Sequence, residues 1–161
     1  MLKEFKDLPD DSRIWIYQSN RKLSDLEIES IKAKTNDFLE QWTAHGKDLE
    51  AGFEIKYNRF IVIGLNQENA SASGCSIDSS VYFIQSLEKE YNIDLMDKMN
   101  VTFYNGDFIA HKTLVDFRKM AKAKSVSKKT IVFNNLLNTK AEYKENWEVP
   151  AEESWHNRFL S

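Results

Sequence analysis

The sequence predicts an α+β fold: a mixed or antiparallel sheet with helices packed on one face, ferredoxin-like (βαββαβ), with C-terminal additions. Three observations carry this. Runs of β-branched and aromatic residues alternate with segments of helical period in the split βαβ order. Turn-forming residues, Tyr57-Asn58 and Asn105-Gly106, join two pairs of strands. The first and third strands, central in such a sheet, are the most apolar.

The first strand is Arg13-Ile14-Trp15-Ile16-Tyr17. Ser24-Asp25-Leu26-Glu27 reads as a capping box, in which Ser24 and Glu27 satisfy each other's backbone amides. The helix it opens carries Ile28, Ile31, Phe38, Leu39 and Trp42 on one face and should stop near His45-Gly46. Phe53–Lys56 and Phe60–Ile63 form a hairpin, and the unbroken apolar run of the second strand implies burial on both faces. The small polar stretch Asn69–Gly74 is loop, and a second helix follows with Ile77, Val81, Ile84 and Leu87 inward. Val101–Tyr104 and Asp107–Ala110 flank Asn105-Gly106, a strong type I′ hairpin signal. A third helix starts near Thr113, with Leu114, Phe117 and Ala121 inward. Ile131–Phe133 reads as a short strand and Thr139 to Trp147 as a helix. Ile14, Ile16, Phe38, Trp42, Ile61, Ile63, Val81 and Ile84 are the expected core.

The 161 residues suit one domain, 1–161, able to bury roughly 70% of the surface of the unfolded chain. Residues 147–161 form an aromatic tail in which Trp147, Trp155 and Phe159 either dock on the body or anchor a protein partner; docking in cis is the default. With 22 Lys+Arg against 25 Asp+Glu, net charge −3, the chain lacks the basic excess of a general nucleic-acid binder. Charge is nonetheless segregated. Lys112 to Lys129 holds seven basic residues against the single Asp116, net +6, leaving −9 elsewhere. The favoured reading is a solvated helix face opposite Glu142, Glu145, Glu148, Glu152 and Glu153, and the other is an anion or nucleic-acid patch. Trp15 and Tyr17 on one sheet face raise an RNA-recognition analogy, but the Phe60–Ile63 strand lacks the glycine-aromatic spacing such modules use. One cysteine, no apolar leader and no membrane-length apolar run point to a cytoplasmic protein without a membrane segment.

Gln41-Trp42-Thr43-Ala44-His45-Gly46 and Ser73-Gly74-Cys75-Ser76-Ile77-Asp78, with Trp147–Pro150 and Ser154–Phe159, resemble a family of short bacterial proteins of Bacteroidetes type. The resemblance covers essentially the whole chain. Members are often labelled "ABC transporter ATPase", a label that implies ATP hydrolysis. The residues do not support it. Gly46-Lys47 is followed by Asp48, the position five before Gly46 is Gln41, and no phosphate loop or LSGGQ-like signature occurs.

Chemistry concentrates at Ser73-Gly74-Cys75-Ser76, where a loop of small residues opens a helix. The serine hydroxyls there are ordinary caps. The same exposed amides can hold a phosphate or carboxylate, so a small anionic ligand is the expected class. Cys75 is either a packed small hydrophobe or a nucleophile favoured by the helix dipole, with His45 or His111 as base and Asp78 working against the thiolate. Two readings follow: a ligand-binding or protein-interaction domain, and a small thiol-dependent enzyme. Cys75, His45, His111 and His156 are too scattered for a zinc site, and Asp94 with Asp97 reads as a solvated face, so no metal or cofactor is expected.

Overall fold

A computed structural model describes residues 1–160 of the chain. Among these residues the order is β1 (Arg13–Gln18), α1 (Asp25–Gln41), β2 (Thr43–Ala44), β3 (Lys47–Asp48), β4 (Glu50–Lys56), β5 (Phe60–Asn66) and α2 (Gly74–Tyr91). It continues through β6 (Val101–Asn105), β7 (Phe108–Lys112), α3 (Leu114–Lys122), β8 (Ile131–Phe133), α4 (Lys140–Asn146) and β9 (Glu148–Pro150). Short 3-10 turns occupy Phe5–Asp7, Ala151–Glu153 and Trp155–Phe159. The fold is mixed α and β with antiparallel sheets. None of these helices is long and apolar enough to cross a membrane.

The strands divide into two main sheets, ordered β1-β5-β4 and β7-β6-β8-β9. The first half follows the split βαβ pattern: β5 lies between β1 and β4 and runs antiparallel to both. The single ferredoxin-like sheet stops there. Its fourth strand would be β6, which pairs instead with β7 and β8 in the second sheet. β1 is therefore an edge, not a centre. The outer side of β1 meets the chain before α4, with the Ile14 amide donating to Asn138 O (2.9 Å) and Arg13 bridging Thr139.

Burial explains why a second sheet is needed. Tyr17, Ile61, Ile63 and Leu65 face α1 and α2, packing with Ile28, Ile31, Leu39, Ile84 and Leu87. Ile14, Ile16, Phe60 and Val62 point to the other face and pack on Phe133, Leu137, Tyr143 and Trp147. An unbroken apolar β5 requires cover on both sides, and the C-terminal third of the chain supplies the second side. Trp15 and Tyr17 thus lie on the face that the two helices cover, with Trp15 edge-on to Trp42. A third cluster joins Phe103, Phe117, Val132 and Val149, and Trp155 and Leu160 of the tail pack against it. Phe159 stacks edge-on to Trp155 and lies under the Arg118 guanidinium.

Three local readings need correction. α1 ends at Gln41 with Trp42 extended, and His45-Gly46 is instead the turn of the β2–β3 hairpin, both residues at positive φ. In the β6–β7 hairpin Asn105 pairs with Phe108, so the two-residue loop is Gly106-Asp107. Only Gly106 takes positive φ (64°), the type II′ pattern with glycine first, one residue beyond the type I′ expectation. On α2 the buried stripe is Ser76, Ser80, Ile84 and Leu87, leaving Ile77 and Val81 half-buried. Phe38, also expected in the core, is half-buried too.

Two features tie the N-terminal segment down. Gly52 lies so close to the Lys3–Phe5 backbone that an added Cβ would sit 2.5 Å from Lys3 O. The buried Lys140 ammonium donates to the carbonyls of Phe5 (3.1 Å), Lys6 (3.0 Å) and Leu8 (2.7 Å), using all three of its protons.

Candidate functional site: a cleft at the head of α2

α2 begins with a capping box made entirely of serine. The Ser76 amide donates to Ser73 Oγ (3.1 Å), and the Ser73 amide donates to Ser76 Oγ (2.6 Å). Ser76 Oγ also donates to Ser73 O (2.9 Å), so both hydroxyls are engaged in holding the helix start. Gly74 and Cys75, the first two helical residues, present amides for which the helix itself has no acceptor. Both are exposed, and an added Cβ at Gly74 would meet nothing within 4 Å.

The end of α1 fixes this helix start in place. Trp42 is buried, and its indole N–H donates to Ser76 O (2.8 Å). Phe38, one turn earlier, stacks on Phe83 of α2 at 4.5 Å and leans on Trp42 at 5.7 Å. The β2–β3 hairpin follows at once and carries His45 at its turn. The outcome is a cleft of about 590 Å³ lined by Phe38, Gln41, Trp42, Thr43 and His45 on one side of the chain and Ser73, Cys75, Ser76 and Ser79 on the other. That volume lies within the usual range for small-molecule sites, roughly 300–1,000 Å³.

Cys75, an exposed free thiol, therefore shares a cleft with His45. His111 is elsewhere. It sits on β7 with Nδ1 2.9 Å from Thr102 Oγ1, and Thr102 spends its own proton on Gln18 Oε1 (2.8 Å). His111 must then donate from Nδ1. Burial, and then the Arg59 charge, push its imidazole below the ordinary histidine range. His156 is fully buried against Phe117 and Trp155, with Nδ1 at Ser154 Oγ, and burial brings its pKa to about 4. Among the described residues no three His, Cys, Asp or Glu side chains converge as a metal site requires.

Sequence reasoning missed Gln41, Thr43 and Ser79 as lining residues and took Phe38 and Trp42 as core alone. Their i, i+4 spacing was visible, but not that the turn after them folds back over α2. It also missed a buried polar seam between the sheets. Gln18 Nε2 donates to Asp97 O (3.1 Å) and Asn100 O (2.7 Å), while its Oε1 accepts from Thr102 and from Asn135 Nδ2 (2.9 Å). Asn135 Oδ1 in turn accepts from the Trp147 indole N–H (2.8 Å). The expected opposition of basic and acidic segments reduces to one weak contact, Lys129 to Glu152 at 3.6 Å.

Compared with protein-family models, with curated proteins and with solved structures, the chain matches none.

Proposed function

We propose that this chain is a cytoplasmic small-ligand-binding protein whose ligand seats in the cleft at the head of α2. The ligand carries a phosphate or carboxylate on an apolar body. The anion meets the Gly74 and Cys75 amides at the positive end of the α2 dipole, and the apolar part lies against Phe38 and Trp42. The observation that carries this reading is the meeting of Ser73, Cys75 and Ser76 with His45 in one cleft. Two of the segments behind the family resemblance, Gln41–Gly46 and Ser73–Asp78, contribute its lining, and neither asks for nucleotide hydrolysis. The test is a thermal-shift titration with the carboxylates benzoate and phenylacetate. A bound anion should stabilise the fold by RT ln(1 + [L]/Kd), about 2.7 kcal/mol at a hundredfold excess over Kd. Gly74→Pro removes one amide while suiting the first helical position, so it should abolish that shift without lowering the melting temperature of the free protein. An identical anion shift in Gly74→Pro refutes the site.

A second reading has its own support. Because Cys75 and His45 line the same cleft, Cys75 can act as nucleophile with His45, not His111, as base. A thiol enzyme of this kind should be alkylated more slowly in His45→Ala than in the unaltered chain, and at an unchanged rate in His111→Ala. An alkylation profile unchanged by His45→Ala leaves the binding role alone.

A further inference from the structure

A second groove lies on a different part of the molecule, between the turn joining β4 to β5 and the turn joining β6 to β7. It has a volume of about 460 Å³, and its lining includes Lys22, Tyr57, Arg59, Asp107, Phe108 and Ile109. Arg59 is its unusual member. Arg59 is half-buried, and among the described residues the one hydrogen bond of its guanidinium is a long contact from Nη2 to Ile109 O (3.3 Å). Among the described residues no carboxylate forms an ion pair with it or with Lys22, and Asp107, though in the groove wall, reaches neither. Desolvation without an answering charge weakens the hold of Arg59 on its proton. A guanidinium so placed keeps most of its fork of donors free for an anion that binds through two oxygens.

Beside these cations stand two rings. Phe108 is 79% exposed at the hairpin tip, and Tyr57 is 41% exposed with its hydroxyl tied to Glu148 Oε2 (2.7 Å) and its ring against Phe133 and Trp147. An aromatic side chain as exposed as Phe108 contributes nothing to the core, and a flat ring of a ligand is what it can stack. Two unpaired cations and an exposed aromatic ring in one groove select for charge and flatness together.

We propose that this groove binds a phosphomonoester carried on a flat ring, with the phosphate on Arg59 and Lys22 and the ring against Phe108. Mononucleotides and aryl phosphates share that chemistry and differ in the span between phosphate and ring. Isothermal titration of the full chain with AMP, phenyl phosphate, inorganic phosphate and adenosine separates the cases. AMP or phenyl phosphate should bind at least tenfold tighter than inorganic phosphate or adenosine; the tighter of the two names the span. Arg59→Lys keeps the charge but loses the fork and should weaken binding at least tenfold. Phe108→Ala, at an exposed position that leaves the fold intact, should bring ring-bearing phosphates down to the level of inorganic phosphate. Titrated in Gly74→Pro, whose α2 cleft has lost an amide, ring-bearing phosphates should still bind and should still weaken on Arg59→Lys, which keeps this groove distinct from the α2 cleft. Ring-bearing phosphates that bind no tighter than inorganic phosphate, or that keep their affinity in both Arg59→Lys and Phe108→Ala, overturn the proposal.

Discussion

The cleft at the head of α2 and the seam around Gln18 are both built from uncharged polar groups, yet they are left in opposite states. In the seam every donor and acceptor of the Gln18 amide is matched within the chain, from the loop before β6, from Thr102 and from Asn135. At the cleft the serine hydroxyls are matched to each other, but the amides of the exposed Gly74 and Cys75 have no acceptor within the helix. Matching of the first kind holds two sheets at a fixed distance. The second kind costs little while water is present and gains when an anion replaces it. Polar content alone does not distinguish structure from function; saturation does.

The largest effect should come from emptying the seam. Gln18→Ala strands the Thr102 hydroxyl proton, the Asn135 Nδ2 donor and two backbone carbonyls, and should cost roughly 3–5 kcal/mol of unfolding free energy. Denaturant melts measure this, and Cys75 alkylation at fixed pH should be unaltered. A loss below about 1 kcal/mol would mean that the seam is as dispensable as the cleft.

Acid probes the tail, where matching is incomplete, because His156 Nε2 is buried without a partner among the described residues. Its folded pKa of about 4 lies below the ordinary 6.5, so between these values the unfolded chain binds the extra proton. Stability is complete above about pH 6.5 and falls as the pH drops toward 4, by about 3 kcal/mol from this residue. His111, shifted in the same direction, steepens the slope. Stability measured against pH should lose most of that slope in His156→Gln; an unchanged slope would assign the acid sensitivity to other groups.

A smaller effect locates the hairpin that brings Thr102 and His111 to the seam. Gly106→Val forces a β-branched residue into positive φ and should cost about 1–3 kcal/mol, whereas Asn105→Val, at a position without positive φ, should cost less. Equal losses in chemical denaturation would return the turn to Asn105-Gly106. Smallest of all is Ser73→Ala in the cleft, about 1 kcal/mol for a lost cap. If the cleft is the open member of the pair, this variant should disturb anion-induced thermal shifts far more than it disturbs free-protein stability.

What was legible in the sequence was local. The Ser24–Glu27 box, the Thr113 cap and both hairpins rest on residues three or four apart, and the chain forms them where those residues fall. The hairpin turn slipped by one residue because Gly106 can serve as the second central position of one turn type or the first of another, and only pairing register decides. The choice of sheet for β6 was not legible, because an apolar strand records that it is buried but not beside what. Nor was the seam, whose Gln18 and Asn135 lie 117 residues apart and look like ordinary surface amides. At the cleft, the helix start was readable, but His45 and His111 were equal candidates as base for Cys75, with nothing in the sequence to place either. The wall that His45 shares with Cys75 depends on Trp42 reaching the Ser76 carbonyl, a contact no spacing rule contains.

The bonds from Lys140 to the carbonyls of Phe5, Lys6 and Leu8 have a consequence for synthesis on the ribosome. Their partners are separated by up to 135 residues. At about 5–20 residues per second, on the order of ten seconds pass between the emergence of one end and the other. During that interval the β1-β5-β4 sheet can form with α1, but the Ile14, Ile16, Phe60 and Val62 face and the outer edge of β1 have nothing to cover them. A nascent chain halted before residue 131 should thus be a target for chaperones that hold extended apolar surface, and release should coincide with the arrival of β8 and α4.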